Sequence, residues 1–378
     1  MWNTNCHIIK KLSLLIKQYD KSIYIVCGGA YIAENYNTEF ELKKILALNS
    51  INCLIMGEGE RTLLEIIDCI EENKYPINIL GTKSIDLSSK VKINPLREEE
   101  KNIDVFPFPD YSCYNIEDYS SHKIPLTFSR GCQWRCKFCT VFVHWKRFRT
   151  RSALNIFDEI LFRIKEYDMK KYEFELHDCA CNQNLEVLEQ LCNIIINDVR
   201  TYKKVFFSAN AKIIKRMDCK LLNKMRLAGF KNLKFGLESF SNNVLKLMHK
   251  PYTAEEASEV IKKVYFANIE VALTMIIGFP GETEEDFDDT IKFVEENYKY
   301  ITEINFNLCF INDVIKYNFC DVLDMNNKDI YKWNLKDMSN TYEIRRNRLK
   351  RIDEALMSKF KNIKKEGMCY INIDNKEV

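Results

Sequence analysis

The feature that most constrains the fold is a regular alternation of strand-like and helix-like segments between residues 124 and 310. Six short apolar runs predict buried strands: Leu126–Ser129, Tyr172–Leu176, Lys204–Ser208, Asn232–Leu237, Glu270–Ile277 and Glu303–Leu308. Amphipathic segments between them predict helices near 152–167, 184–199, 218–228, 253–267 and 283–297. A complete eightfold β/α barrel takes about 250 residues. Six strands in roughly 185 residues therefore predict an α/β fold with a partial (β/α)6 barrel over 121–312.

Polar residues and a glycine mark several of the predicted helix ends. Asp218 and Thr283 stand just before helical segments and predict N-caps, because their side-chain oxygens can accept the first unpaired backbone N–H groups. Gly229 follows a helical segment directly and predicts its C-terminal end.

The N-terminal residues 1–75 also alternate helix and strand, but they offer only two strands, Ile23–Cys27 and Asn52–Met56, with a helix near 38–48 between them. This pattern predicts a partial Rossmann-like α/β segment. Two strands do not form a stable sheet by themselves. We therefore expect them to dock on the next domain, or to be completed by a missing half that lies upstream or in another chain.

Two further regions flank the barrel in the predicted organisation. Residues 76–120 form a linker with a small hairpin, in which Ile79–Gly81 and Val91–Ile93 can pair. Residues 313–378 form a C-terminal extension that is mostly helical, with a helix near 341–362. The arginines of that helix suit either a solvated face or a binding patch.

Composition excludes several function classes. The 56 basic and 54 acidic side chains give a formal net charge of +2, and no basic stripe with interleaved aromatics occurs, so we expect no nucleic-acid partner. The longest apolar run, Val271–Phe279, is far shorter than the roughly 20 residues that span a bilayer. Leu12–Ile16 is too short for a signal peptide. These observations predict a cytoplasmic protein without a membrane span.

The chain has fifteen cysteines, and three of them form a tight C-x3-C-x2-C group: Cys132, Cys136 and Cys139. They directly follow the first predicted barrel strand, and barrel active sites lie at the carboxyl ends of the strands. Clustered thiolates suit a soft metal centre such as an iron–sulfur cluster. Structural zinc is the alternative, and it needs a fourth ligand, which His122 or His144 could supply.

The cysteine group, with the aromatic Phe138 before its last cysteine, resembles the radical S-adenosylmethionine (SAM) superfamily. The resemblance implies that Cys132, Cys136 and Cys139 hold a [4Fe–4S] cluster whose fourth iron binds SAM, and that Phe138 lies near the adenine. It also implies reductive cleavage of SAM to a 5′-deoxyadenosyl radical that acts on a small-molecule or peptide substrate. A flavodoxin or ferredoxin is the implied electron donor.

Polar and glycine residues at the ends of the later strands extend this resemblance. Its implied cofactor-binding residues, besides Phe138, are Asp178, Ser208, Asn210, Glu238, Ser239, Gly278 and Pro280. Glu238-Ser239 and Gly278-Phe-Pro280 stand within elements similar to the family's G-x-E-S and G-F-P-G-E-T sequences. Two structural alternatives stay open: Glu238 can cap the next helix, and Gly278 with Pro280 can form only a tight turn.

The N-terminal segment resembles the distal half of the cobalamin-binding domain found in one radical SAM subgroup. Gly28-Gly29 and the Gly57–Glu60 sequence stand where that subgroup has its GG and G-E-G-E elements, while the D-x-H-x-x-G motif is missing. We expect a truncated N-terminal domain, which leaves cobalamin as a possible but doubtful cofactor. The alternatives to hydrogen abstraction are a cobalamin-dependent methyltransferase and a non-catalytic metal-binding scaffold.

Other cysteines and a basic cluster are secondary candidates for site residues. Cys179, Cys181 and Cys309 lie at predicted strand ends, where they suit packing better than hydrogen donation or an auxiliary cluster. The basic cluster after the cysteine group suits an anion or a solvated surface: Lys146, Arg147, Arg149 and Arg151.

Overall fold

A computed structural model describes residues 6–29, 42–43, 45–46, 50–86, 88, 90–119, 121–167, 169–324 and 330–357. The chain divides into two compact units. The first comprises Met1–Lys101 with Cys139–Arg147, and the second comprises Asn102–Phe138 with Phe148–Val378. Most of the helix predicted near 38–48, and the end of the one predicted near 341–362, lie outside the described residues.

The first unit is built on a four-stranded sheet. Its elements are α1 (Cys6–Tyr19), β1 (Val26–Cys27), β2 (Cys53–Ile55), α2 (Glu60–Glu71), β3 (Thr82–Ile85), β4 (Val91–Ile93) and α3 (Val141–His144). The sheet order is β1-β2-β3-β4, parallel between β1 and β2 and antiparallel thereafter. Strand β2 is buried on both faces, because Leu54 packs in one apolar cluster while Cys53 and Ile55 pack in another.

The hairpin predicted within 76–120 is present, and it joins this sheet. Its first strand begins at Thr82, beyond the predicted Ile79–Gly81, and pairs antiparallel with β2. Ile79 instead packs beneath the sheet in the cluster with Cys53 and Ile55. The two parallel strands that the sequence left without partners therefore gain two antiparallel neighbours from their own chain.

The second unit carries a six-stranded parallel sheet. Its elements up to the last barrel strand are β5 (Lys123–Leu126), β6 (Ser129–Arg130), β7 (Arg149–Thr150), α4 (Ala153–Glu166), β8 (Tyr172–Leu176), α5 (Leu185–Asn197), β9 (Val205–Ala211), α6 (Cys219–Ala228), β10 (Phe230–Glu238), α7 (Asn242–Leu247), α8 (Ala254–Phe266), β11 (Glu270–Ile277), α9 (Glu284–Asn297) and β12 (Glu303–Leu308). The sheet order is β5-β8-β9-β10-β11-β12, with every pair parallel. This is the predicted partial (β/α)6 barrel.

The register of the barrel stacks aromatic rings in its core. Phe174 of β8 is aligned with Phe207 of β9, and their ring centroids are 5.6 Å apart. Phe230, at the start of β10, continues the stack at 4.9 Å from Phe207. Such pairs stabilise a sheet beyond simple area burial, so the apolar runs that predicted the strands also set their register.

The first barrel strand differs from its prediction, Leu126–Ser129. The sheet strand β5 ends at Leu126, and the next residues leave the sheet to form a two-stranded antiparallel pair between β6 and β7. The physical reason is the Asp178 carboxylate, which accepts the Phe128 N–H at 2.8 Å and the Ser129 hydroxyl. These side-chain bonds replace ladder bonds and turn the chain away from the sheet.

The predicted caps are confirmed. Asp218 accepts the Leu221 N–H at the start of α6, and Thr283 forms a reciprocal capping box with Asp286 at the start of α9. Gly229 ends α6 with a φ of 105°, and a Cβ there would lie 2.1 Å from the Val205 carbonyl oxygen. Only glycine meets both requirements.

The C-terminal extension contains α10 (Asp313–Lys316) and α11 (Tyr342–Met357). The prediction that the arginines of the last helix form a solvated face or binding patch is wrong for Arg345 and Arg348. Both side chains are buried, because each finds polar partners within the barrel and the extension. Among the described helices, none is both long and apolar enough to cross a bilayer.

Candidate cofactor site

Most of the predicted site residues lie at the carboxyl ends of the barrel strands, where barrel enzymes carry their active sites. Glu238 ends β10, and Gly278 follows β11 directly. Asn210 is the penultimate residue of β9. Ser208 lies three residues before the end of β9, because that strand extends to Ala211 rather than ending where the sequence predicted.

The cysteine loop, residues 131–138, follows β6 and carries Cys132 and Cys136 as half-buried thiols. Burial raises the pKa of Cys136, and the nearby Lys250 ammonium opposes that rise. The loop is fixed from outside by two backbone contacts: the Lys137 N–H donates to Met248 O at 3.1 Å, and the Asn318 amide donates to Lys137 O at 2.9 Å. Cys139, also half-buried, opens the segment Cys139–Arg147 of the first unit.

The aromatic side chains of the cysteine loop lie beside two buried lysines that the sequence analysis did not single out. Lys212 and Lys250 place their Nζ atoms 4.6 and 5.8 Å from the centre of the Trp134 ring. Lys250 is also 5.3 Å from the Phe138 ring. Cation–π attraction of this kind strengthens when both partners are desolvated. Lys212 directly follows a strand end, so strand-end position was the signal that could have found it.

Glu238 is paired with Lys250 inside the protein. Its carboxylate lies 3.3 Å from the Lys250 ammonium, which also donates to Gly236 O at 2.8 Å. Burial raises the pKa of Glu238, and Lys250 opposes the rise. The alternative in which Glu238 caps the next helix is not what the structure shows, because Ser241 accepts the Val244 N–H as the N-cap of α7. Glu238 also has a left-handed backbone, with a φ of 73°, a strained conformation typical of functional sites.

Asp178 and Ser239 are buried and bound within the protein. Both carboxylate oxygens of Asp178 accept bonds from the backbone and side chain that enter the cysteine loop, and the residue is 2% exposed. Burial raises the pKa of Asp178 to about 6, against the opposing hydrogen bonds. The Asn210 amide donates to the Asp178 carbonyl at 3.2 Å. Ser239 accepts the Ser241 N–H at 3.1 Å.

The glycine turn, residues 278–282, is held by a closed set of hydrogen bonds. The Glu282 carboxylate accepts the Gly278 N–H at 2.6 Å and is paired with Arg348 at 2.7 Å. The Asn340 amide donates to the carbonyls of Gly278 and Phe279, both at 3.1 Å. The tight turn left open as an alternative is therefore present, and residues of the C-terminal extension hold it in place.

Gly278 has no room for a side chain. Its φ is 79°, and a Cβ would lie 2.1 Å from Cδ of Arg345. Arg345 itself donates to Trp333 O at 2.6 Å and stacks 3.6 Å above the Trp333 ring. Burial lowers the pKa of Arg345 to about 10. The close approach of the arginine to the turn requires glycine at this position.

The turn and the cysteine loop meet through two aromatic rings. Phe138 of the loop makes an edge-to-face contact with Phe279 of the turn, with ring centroids 6.3 Å apart. Phe279 in turn contacts Phe319 at 5.5 Å. The two elements that the sequence resemblance put near the adenine, Phe138 and the Gly278–Pro280 sequence, are thus brought together.

The secondary candidates, two cysteines and residues of the basic cluster, are buried or make contacts within the protein. Cys181 and Cys309 are buried, and burial raises the pKa of both thiols, which fits packing residues. Arg151 is paired with the buried Glu159. The backbone N–H groups of Lys146 and Arg147 donate to the Glu99 carboxylate within the first unit.

Cys132, Cys136 and Cys139 form a donor set of the kind that would hold an iron–sulfur cluster, whose thiolate ligands bind different irons. The cysteines that the structure describes form no disulfide. Within the described residues, no three histidine, cysteine or acidic side chains converge on one point that could hold a single metal ion.

Comparison with known proteins tests the family resemblance that the sequence motifs indicate. The family model described as the radical SAM superfamily matches residues 126–294. Residues 126–294 thus carry a radical SAM domain. This superfamily of enzymes uses a [4Fe–4S] cluster and SAM, which agrees with the cofactors that the sequence predicted.

Individual proteins resemble this chain in sequence or in fold. The chain is 25% identical over 286 residues to an uncharacterized methyltransferase, PH0819, of Pyrococcus horikoshii, and the match covers 75% of this chain and 60% of the relative. Its fold is similar to that of the cobalamin-dependent SAM radical enzyme OxsB, with a TM-score of 0.65, 19% identity and coverage of 79% and 43%. It is also similar to the radical SAM methyltransferase TsrM from Kitasatospora setae, with a TM-score of 0.64, 15% identity and coverage of 79% and 58%. The chain thus spans less than two thirds of each of these proteins.

Proposed function

We propose that this chain binds a [4Fe–4S] cluster through Cys132, Cys136 and Cys139 and uses it to cleave SAM reductively, starting radical chemistry on a small organic or peptide substrate. When bound, the cluster supplies the electron that splits SAM into methionine and a 5′-deoxyadenosyl radical, which then abstracts a hydrogen atom. The observation that carries the proposal is the cysteine loop at the carboxyl end of the partial barrel, in contact with the glycine turn.

The residues around the loop have distinct proposed tasks. Phe138 and the Gly278–Pro280 sequence form the adenine side, supported by the contact between Phe138 and Phe279. Asn210, Ser208 and the Glu238–Lys250 pair supply polar groups along the same strand ends for the ribose and the amino-acid part of SAM. The Glu238–Lys250 pair is buried, and the exclusion of water strengthens its polar contact.

Asp178 and Ser239 act indirectly in this proposal. Both oxygens of the Asp178 carboxylate are occupied by Phe128 and Ser129, so Asp178 positions the start of the cysteine loop. Ser239 fixes the backbone after Glu238 through its bond from Ser241. A flavodoxin or ferredoxin is the proposed reductant.

The test is product analysis under anaerobic conditions. The protein is reconstituted with iron and sulfide, reduced with dithionite and mixed with SAM, and 5′-deoxyadenosine and methionine are quantified. We expect both products from the wild type and neither from Cys136→Ala. A protein that takes up the cluster yet forms no 5′-deoxyadenosine and no methylated product would support the scaffold alternative and contradict this proposal.

Methyl transfer through cobalamin is the second candidate. It is supported by the likeness in fold to OxsB and TsrM over 79% of this chain. The same incubation with added cobalamin separates the two candidates, since methyl transfer from SAM yields S-adenosylhomocysteine. Formation of that product with retention of a corrinoid through gel filtration would favour this candidate. Its absence, with 5′-deoxyadenosine present, would favour hydrogen abstraction by this chain.

A further inference from the structure

The amide of Gln183 brackets the first cysteine of the loop. Its Oε1 accepts the Gln133 N–H at 3.0 Å, and its Nε2 donates to the Gly131 carbonyl at 3.2 Å. These two backbone groups lie on either side of Cys132. The side chain is almost fully buried, so water is excluded from its bond to Gly131. One amide thereby fixes the backbone that presents the Cys132 thiol.

A buried ammonium group completes this arrangement. Lys212 Nζ donates to the same Gln183 Oε1 at 2.6 Å. The Lys212 backbone is itself held by Asn182, which accepts its N–H and donates to its carbonyl, both at 2.8 Å. The ammonium therefore has a fixed position beside the loop, with the Trp134 ring 4.6 Å away.

The charge environment of Lys212 differs from that of the other buried lysine. Lys250 is paired with the Glu238 carboxylate. For Lys212, the described part of the chain provides no carboxylate within ion-pair distance. The thiol groups of Cys132, Cys136 and Cys179 lie near it, with Cys132 in hydrogen-bond reach. A buried charge is costly without a counter-charge, and ionised cluster ligands would provide one.

We propose that Gln183 and Lys212 are positioning residues for the cluster, Gln183 by fixing the backbone on both sides of Cys132 and Lys212 by placing a positive charge beside that ligand. The inference rests on the proposed function. Reduction adds one electron to the cluster, so a nearby positive charge stabilises the reduced state and raises the midpoint potential. Hydrogen bonds around cluster ligands and their burial are known determinants of such potentials.

The test measures the reconstituted cluster itself rather than enzyme turnover. Lys212→Met and Lys212→Arg are compared with Lys215→Met, which removes an equal charge from an exposed lysine three residues away. Midpoint potentials are measured by anaerobic spectroscopic titration. We expect Lys212→Met to lower the potential, Lys212→Arg to restore most of it, and Lys215→Met to match the wild type.

Two substitutions of Gln183 test its hydrogen bonds to the backbone on either side of Cys132. They also keep the inference testable if a Lys212 variant folds poorly. Gln183→Leu loses both bonds to the loop, and we expect it to lose iron to a chelator about tenfold faster than the wild type. Gln183→Glu keeps the acceptor for Gln133 and Lys212 but adds a negative charge that offsets the ammonium. We therefore expect a lowered midpoint potential of the cluster in a folded protein.

The outcomes separate this inference from the proposed function. A wild type that takes up no iron–sulfur cluster overturns both. A wild type that holds the cluster, with Lys212→Met and Gln183→Glu at the wild-type potential and Gln183→Leu losing iron at the wild-type rate, overturns this inference and leaves the proposed function standing.

Discussion

The cysteine loop and the glycine turn lie at the same edge of the barrel and contact each other, yet they are held in different ways. The turn is fixed by charged and polar side chains of the chain itself: Glu282, Asn340, Arg345 and Arg348. The loop is held by the Gln183 amide and by hydrogen bonds of its Lys137 backbone to Met248 and Asn318. A buried ion pair thus helps to fix the turn, whereas uncharged hydrogen bonds fix the loop that carries the proposed cluster ligands.

The largest expected effect is the loss of the cluster on removal of a ligand. We expect Cys132→Ala, Cys136→Ala and Cys139→Ala each to reduce bound iron after anaerobic reconstitution from about four per chain to near zero, because the proposed cubane has only these three thiolate ligands. Iron and sulfide analysis measures this. Cys219→Ala, at an exposed cysteine, is the control and should keep the full content. Four irons retained by any of the three variants would remove that cysteine from the ligand set.

The next effect concerns the buried ion pair of the turn. Arg348→Met leaves the Glu282 carboxylate buried without its partner, and we expect the free energy of unfolding to fall by about 3–5 kcal/mol. Arg351→Met, on the same helix, breaks exposed pairs with Glu284 and Asp288 and should cost about 0–1 kcal/mol. Urea unfolding measures both. Equal losses in the two variants would show that the turn does not depend on the buried pair.

A smaller loss of stability is expected from Gly278→Ala. The new methyl group meets the Arg345 side chain, and the backbone is left-handed, so the two costs add to about 2–4 kcal/mol. Gly57→Ala is the matched control, since Gly57 has a similar φ of 74° with open space around it. In thermal and urea unfolding, we expect the Gly57→Ala variant to be clearly more stable than the Gly278→Ala variant. Equal stability of the two variants would mean that Arg345 and the turn move to accommodate the new methyl group at little cost.

The smallest effect is the pH dependence contributed by Asp178, which anchors the start of the cysteine loop. Its pKa is about 6 in the folded protein and about 3.8 when unfolded. Between these values the folded state holds the extra proton, so stability falls as the pH rises from about 4 to 6 and is constant above that range. Relative to Asp178→Asn, the free energy of unfolding of the wild type should fall by about 1–3 kcal/mol as the pH rises through this range. Urea unfolding at pH 4.5 and 7 measures this, and a wild type that gains stability relative to the variant would contradict it.

The sequence predicted the barrel well because its signals are local. Strands β8, β11 and β12 have the predicted bounds, and the caps at Asp218 and Thr283 follow from short-range side-chain chemistry. The first hairpin strand begins at Thr82, directly after the segment predicted for it. Its pairing with β2 could not be predicted, because that contact joins segments separated by a helix and a loop. Local patterns do not encode such a contact.

The polar residues that surround the site were harder to predict. Lys212, Lys250 and Gln183 look like surface residues in the sequence, and only the tertiary fold buries them against the cysteine loop. Arg345 and Arg348 lie in a helix rich in basic residues, where composition favours exposure. Their burial depends on the glycine turn, which lies more than sixty residues earlier in the chain.

Electron paramagnetic resonance of the reduced, anaerobically reconstituted protein, recorded with and without SAM, tests the central claim most directly. We expect the signal of a reduced [4Fe–4S] cluster that changes shape when SAM is added, since the proposed ligand set leaves one iron without a protein ligand. One zinc ion per chain with no cluster signal, or a cluster signal that SAM leaves unchanged, would contradict it.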